Sequence, residues 1–315
     1  MRNNKIYLAG HAGMVGSAIH RQLVSKQYSH IITKNLNELD LTIQSNVEEF
    51  FHKENPEIVI VAAAKVGGIL ANDMFRAEFI YDNLMIEANI IHSAYKHGVQ
   101  KLIFLGSSCI YPKLAPQPLK EEYLLSNYLE YSNEPYAIAK IAGIKLCENY
   151  YRQYDCNFFS VMPTNLFGFN DNFNLNTSHV LPALIRKFHE AKINSKPEVV
   201  VWGSGTPKRE FLFVDDLAEA IVFLLEKVNA KDIYQAGISQ LNIGMGKDLT
   251  INELAELIAE VIGFKGKIVY DSSKPDGTPR KLLDITRINN LGWKAKTDLK
   301  TGIQKTYKWY LEKFS

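Results

Sequence analysis

Tyr136 and Lys140 stand four residues apart in the stretch YAIAK, a spacing that puts both on one face of a helix. A phenol ordinarily titrates near pKa of about 10 and is a poor proton donor at neutrality, but a neighbouring ammonium stabilises its phenolate and makes transfer easier. The stretch LGSSCIYP (105–112) follows an apolar run, so Ser107 falls at a strand end where a hydroxyl can orient a substrate oxygen. Cys109 lies two places further on. Its thiol, with an ordinary pKa of about 8.5, exchanges protons usefully around neutral pH.

A third group of residues points to a dinucleotide. AGHAGMVG (9–16) carries Gly10, Gly13 and Gly16 as GxxGxxG between a strand-like run and a helical one. Glycines there allow a tight turn and let the backbone approach a pyrophosphate at the helix amino end. His11, Ala12, Met14 and Val15 complete the loop. The next strand-like run ends in TKNLNELD, with Lys34 and Asn35 where an NAD-binding acid would stand, so the pattern leans towards NADP; Asp40 is a candidate for the adenine side.

These residues need a scaffold, and the chain alternates accordingly. KIYLA, HIITK, EIVIVAAA, KLIFLGS and NFFSVMPTN read as strands, with helical patterns over 14–26, 75–97 and 135–154 and a further helix in SNVEEFFHKE. The near-continuous apolar character of EIVIVAAA suits a parallel strand covered on both faces. The expected fold is α/β, a Rossmann-type doubly wound parallel sheet with a smaller carboxyl-terminal α/β lobe. Residues 1–168 with about 214–246 are expected to form the dinucleotide domain, and about 169–213 with 247–315 the second lobe, which includes a helix over 178–191, a strand over 198–202 and a helix near 250–262.

The composition sets outer limits. The 315 residues are 46% hydrophobic and 22% charged, with a net charge of +2, which gives no global electrostatic case for nucleic acid or membrane binding. Three cysteines with no CxxC pair fit neither a disulfide framework nor a zinc site, and no metal is expected. The amino terminus enters a strand-like run without a signal peptide's apolar stretch, so a cytoplasmic location is expected.

Taken together, GxxGxxG, AAAKVGG (62–68), the serine strand end and YxxxK resemble the extended short-chain dehydrogenase/reductases. GSSCIYP, NEPYAIAKIAGIKLCE, MPTNLFG, SHVLPALIRKFHEA, VVVWGSGTPKREFL and KPDGTPRKLLD resemble, within them, the GDP-L-fucose synthases. The resemblance implies an NADPH-dependent enzyme that inverts C3 and C5 of GDP-4-keto-6-deoxy-D-mannose and reduces its C4 ketone. It implies Cys109 as base, His179 as acid, Tyr136 as proton donor to the C4 oxygen, and Ser107 and Lys140 as its supports. It implies cofactor contacts from Ala63, Leu105, Gly106, Ser107, Ser108, Lys140, Pro163, Thr164, Asn165, Leu166 and His179, and nucleotide-sugar contacts from Lys187, Trp202, Arg209 and Asp276. It also implies a homodimer through the helices at 75–97 and 135–154. The chain departs from the family pattern at Ala12 and Leu36, where arginines are common, which leaves Lys34 as the nearby cation and NADP against NAD open. A nucleotide-sugar C4-epimerase or reductase acting on another sugar is the alternative; it has no need of Cys109 and His179.

Overall fold

The computed structural model describes residues 2–274 and 276–314. Six parallel strands form the central sheet: β1 (Ile6–Ala9), β2 (Ile31–Ile32), β3 (Ile58–Val61), β4 (Lys101–Leu105), β5 (Phe158–Pro163) and, after an excursion into the second lobe, β9 (Leu241–Ile243). Their spatial order is β2-β1-β3-β4-β5-β9. The chain leaves β1 towards one edge and returns to β3 on its other side, so the topological switch lies between β1 and β3, where such sheets take ligands beyond the strands' carboxyl ends. The expected α/β doubly wound fold is what the chain adopts.

Two apolar layers cover the sheet. One sets α1 (Met14–Ser25) and α7 (Val214–Lys227) against Ile6, Leu8, Ile60 and Ile103. The other sets α2 (Gln44–Glu54), α4 (Arg76–Lys96) and α5 (Glu134–Tyr154) against Tyr7, Val59, Leu102 and Phe104. Successive strand residues face opposite layers, so strands buried on both sides must be apolar throughout. That is why β1, β3, β4 and β5 carry almost no polar side chain.

A third core gathers α6 (Val180–Ile193), α9 (Ile251–Ile262) and α11 (Leu299–Phe314) against β7 (Glu198–Trp202) and β8 (Lys208–Phe213). In α9 the buried residues Ile251, Leu254, Ala255, Ile258, Ala259 and Ile262 repeat at three and four. Its ends are specified locally: Thr250 and Glu253 form a reciprocal capping box, and Gly263 closes it in the left-handed conformation at φ 77°. Three short strands complete this lobe. β6 (Asn165–Phe167) runs parallel to β8, β10 (Asp248–Thr250) antiparallel to it, and β12 (Arg280–Lys281) parallel, while β11 (Lys267–Asp271) pairs with β7.

The strand expected over HIITK is shorter than the sequence suggests. Only Ile31–Ile32 pair with β1, at the sheet's edge. The residues after them turn back, with the Asn35 amide donating to Glu38 and the Glu38 amide to Asn35 Oδ1. Among the described residues no helix is long and apolar enough to cross a membrane, and no His, Cys, Asp or Glu cluster is arranged to hold a metal ion.

Candidate active site

Ala9, Val61, Leu105 and Pro163 end neighbouring strands at one edge of the central sheet. The glycine loop, the 62–68 segment, the 106–109 turn and PTNL therefore emerge side by side. Gly10 has φ +85°, and a Cβ there would lie 2.5 Å from the Ala63 amide nitrogen; one on Gly16 would lie 2.1 Å from the Gly10 carbonyl oxygen. Gly13 caps α1 in extended geometry without a side-chain cap, and a Cβ on it would meet nothing closer than 3.6 Å. The first turn of α1 carries no acid. The loop is thus closed behind and open ahead of free helix amides, the shape and polarity a dinucleotide pyrophosphate requires.

On the adenosine side the picture is mixed. Lys34 Nζ lies 3.9 Å from Glu38 Oε1, so the cation expected to favour a 2′-phosphate already faces a carboxylate. Leu36 is exposed on the same turn. Asp40 Oδ1 accepts from both the amide and hydroxyl of Thr42, which fixes the turn into α2.

Ser107 leaves β4 in extended geometry, and its hydroxyl accepts weakly from the Cys109 amide at 3.5 Å. A short 3₁₀ turn, Ser108–Ile110, then swings Cys109 inward, leaving it 7% exposed. Burial pushes the thiol up; Lys281, the Ser107 hydroxyl and Lys140 pull the other way. Gly106 accepts no larger residue without displacing Met162, whose methyl group would lie 2.1 Å from a Cβ there.

Tyr136 and Lys140 share the inner face of α5. Burial raises the Tyr136 hydroxyl well above its ordinary value, and the charges of Cys109 and Glu87 add to the shift. Lys140 is 1% exposed; its ammonium lies 2.9 Å from Glu87 Oε1, 4.6 Å from the centre of the Phe104 ring and 5.8 Å from that of Tyr136. Phe79 of α4 meets the Tyr136 ring edge-on.

His179 is the amino-terminal cap residue of α6 and makes no capping bond with its ring. Protein crowding lowers its imidazole pKa, and Lys281 lowers it further. Its loop is tied to the first domain: the Gly68 amide donates to the Thr177 carbonyl at 3.1 Å, and Asn170 reaches Ser17 of α1. PTNL is fixed from two sides, by the Thr164 amide on Ile243 of β9 and by Asn165 Nδ2 on the Glu210 carbonyl.

The second lobe supplies cations. Trp202, half exposed at the end of β7, has Lys187 and Lys274 over its ring at 4.8 and 5.6 Å. Lys187 Nζ also donates to the Val200 carbonyl. Arg209 donates to the Asp276 carbonyl at 3.3 Å, while the Asp276 carboxylate is engaged by the Ser204 amide and hydroxyl. Lys281 was not singled out by sequence. The β12–β8 register makes it the Cα partner of Arg209; it lines one pocket with Cys109, and its charge acts on both Cys109 and His179. Glu87 and Lys274 were also missed. The available signal for Glu87 was a lone acid inside the apolar run NLMIEANII.

The NAD dependent epimerase/dehydratase family model matches residues 6–244. GDP-L-fucose synthase 1 of Arabidopsis thaliana is 57% identical over 99% of this chain and 94% of its own. Among solved structures, a GDP-6-OMe-4-keto-L-xylo-heptose reductase from C. jejuni superposes with a TM-score of 0.94 at 39% identity, covering 99% of each chain. A GDP-L-fucose synthetase from Naegleria fowleri bound to NADP does so with 0.89 at 30% identity, over 100% of this chain and 96% of the other. With the glycine loop, the serine turn and the tyrosine–lysine pair at one sheet edge, the chain belongs to the NAD dependent epimerase/dehydratase family, in its GDP-L-fucose synthase branch.

Proposed function

We propose that the protein converts GDP-4-keto-6-deoxy-D-mannose to GDP-L-fucose, using NADPH. The observation that carries this is the buried Cys109 beside the reductase pair, with the charge of Lys281 acting on both it and His179. A plain ketone reductase has no use for a second proton-transfer pair. The relatives named as GDP-L-fucose synthases support the substrate, and the NADP-bound relative supports the cofactor.

Each inversion begins with Cys109, as thiolate, taking the proton from the carbon beside the C4 ketone. The resulting enolate oxygen lies within the reach of Ser107 and Tyr136, whose hydroxyls stabilise its charge. His179 returns a proton on the opposite face. Cys109 then holds a proton and His179 lacks one, so both exchange with solvent before the next inversion. With its pyrophosphate held in the glycine loop, NADPH would supply the hydride to C4. Tyr136 donates its proton to the C4 oxygen, and the Lys140 ammonium steadies the phenolate left behind. Lys187, Lys274 and Arg209 give the diphosphate its counter-charges, and Trp202 an aromatic face.

The dinucleotide domain is assigned to 1–168 with about 214–246, and the sugar lobe to the remainder. The two cores on the central sheet and the third around α6, α9 and α11 support this division, except that Leu283, Ile288 and Trp293 pack into the central-sheet cores. A homodimer through α4 and α5 is supported by Tyr81 and Ile138, large apolar residues left exposed on those helices. A cytoplasmic location fits three free thiols.

The test follows reduced-nicotinamide absorbance in heavy water with GDP-4-keto-6-deoxymannose, under NADPH or NADH, with NMR of the product. NADPH oxidation with deuterium at C3 and C5 of GDP-fucose is the expected result. Oxidation without deuterium would leave a C4-reductase, the reading that the heptose reductase relative favours.

A further inference from the structure

Glu87 has no part in the steps above, yet it is the acid paired with Lys140. It sits on α4, 1% exposed, in a run whose other inward residues are all uncharged. Its Oε1 lies 2.9 Å from Lys140 Nζ, the shortest contact that ammonium makes with any charged group among the described residues. A buried carboxylate is costly unless it is paired, and truncating one member of such a pair leaves the other's charge uncompensated.

The neighbouring helix is shaped around it. Gly143 lies on α5 one turn beyond Lys140. A Cβ there would stand 2.7 Å from Glu87 Oε2 and 2.5 Å from the Phe104 ring. Any larger residue would drive the carboxylate off Lys140 or displace the ring beneath the ammonium. Two separate features, a buried acid on α4 and a missing side chain on α5, thus serve one contact.

We propose that Glu87 is a positioning residue for catalysis: as the buried counter-ion of Lys140, it holds the ammonium in place beneath Tyr136. This rests on the assignment of Tyr136 as proton donor. Glu87 acts through Lys140 and, by its charge, on Tyr136. The other titratable groups around the pair are Tyr136 and Cys147 on α5 and Cys109 beyond β4. In the resting site Glu87 opposes ionisation of Tyr136, while the lysine it holds assists it. Removing the carboxylate exposes both effects in one direction. A buried ammonium without a partner gives up its proton more readily, and the tyrosine loses the negative charge that kept it protonated.

The experiment compares wild type, Glu87→Gln and Glu87→Asp by the pH dependence of single-turnover C4 reduction and, separately, by the pH dependence of NADPH binding from nicotinamide fluorescence. Glu87→Gln keeps the size and a hydrogen-bonding oxygen but removes the charge. Its reduction rate is expected to fall roughly tenfold at neutral pH, with the alkaline limb moved down by about one pH unit or more. The KM for the nucleotide sugar should stay unchanged. NADPH binding should weaken at the same alkaline pH, since Lys140 is also the ribose contact. Glu87→Asp restores most of the limb. Gly143→Ala, which removes no ionisable group, should move the limb the same way by less.

A Glu87→Gln protein with a wild-type limb in both titrations would overturn the proposal. So would a rate loss with an unmoved limb, because that is the mark of a merely structural role. If Glu87→Gln fails to fold, Gly143→Ala carries the same two titrations, and an unmoved limb there again overturns it. Failure of the wild type to turn over the sugar would count against the proposed function alone; the cofactor-binding titration would still decide the role of Glu87.

Discussion

Gly10→Ala and Gly13→Ala differ by three positions in one loop but should fail in different ways. At Gly10 the backbone sits at φ +85°, and a Cβ would press to 2.5 Å on a backbone nitrogen of β3's continuation, which cannot rotate away. The left-handed conformation costs an alanine about 1–2 kcal/mol, and forced overpacking a further 1–3. Against a typical stability of about 5–15 kcal/mol, a loss of roughly 2–5 is a large fraction. It should lower the melting temperature by roughly 3–8 °C. At Gly13 the backbone is extended, at φ −75° and ψ 169°, and the space ahead is open. Alanine fits there at a cost of about 1 kcal/mol or less, the weak cap preference alone.

What Gly13→Ala occupies is the space in front of the free α1 amides. Its cofactor affinity should therefore fall, by about tenfold or more, while its melting curve stays close to wild type. The assays are a thermal scan of the cofactor-free protein and a fluorescence titration with NADPH. A Gly10→Ala protein melting with wild type would refute the packing argument. A Gly13→Ala protein with unchanged NADPH affinity would refute the assignment of the open side as the anion seat.

Three further outcomes are expected. Cys109→Ser should keep cofactor-dependent reduction but lose deuterium incorporation at C3 and C5 by at least about a hundredfold, read by NMR; undiminished exchange would remove Cys109 from the epimerisation. Lys281→Gln should shift the acid limb of that exchange to higher pH and slow it roughly tenfold at neutrality, because the ammonium favours the Cys109 thiolate; an unshifted limb would show that Lys281 does not act on Cys109. Asp171 has one carboxylate oxygen on the Asn172 amide and the other buried without a partner, and burial pushes its pKa up to about 7. Its protonated form is the one that fits, so its contribution is present below the ordinary carboxylate pKa and lost as pH rises through about 7. Asp171→Asn should thus match wild type in denaturant near pH of about 4 and exceed it near about 8, by up to about 4 kcal/mol; equal curves at both would show the carboxyl to be solvated.

Much of the site was readable because its signals are local. A glycine loop between strand and helix, and a tyrosine four residues from a lysine, need only the periodicity of one element each. Strand ends place Ser107 and PTNL for the same reason, since β4 and β5 are buried on both faces and read as apolar runs. The residues that escaped depend on long-range register. Lys281 reads as one cation in a polar loop until β12, two residues long, sets it beside Arg209, 72 positions earlier. Glu87 reads as a helix charge bound for solvent until Gly143 of a different helix makes room for it. Lys34 was legible by type, but its proximity to Glu38 comes from the turn after an edge strand that pairs for only two residues.

The closeness of the two proton-transfer sets has a consequence for the order of events. Negative charge on Cys109 raises the Tyr136 hydroxyl, so the thiolate that begins an inversion also makes Tyr136 hold its proton more firmly. A tyrosine that keeps its proton donates a hydrogen bond to the ketone oxygen and favours enolisation without completing a reduction. Once Cys109 has taken up a proton, that restraint lifts and Tyr136 gives up its own more easily to the C4 oxygen. Lys281 and Lys140 lower the cost of that thiolate against the burial that raises it, so the charge on one sulfur links the inversions to the readiness of Tyr136 to donate its proton.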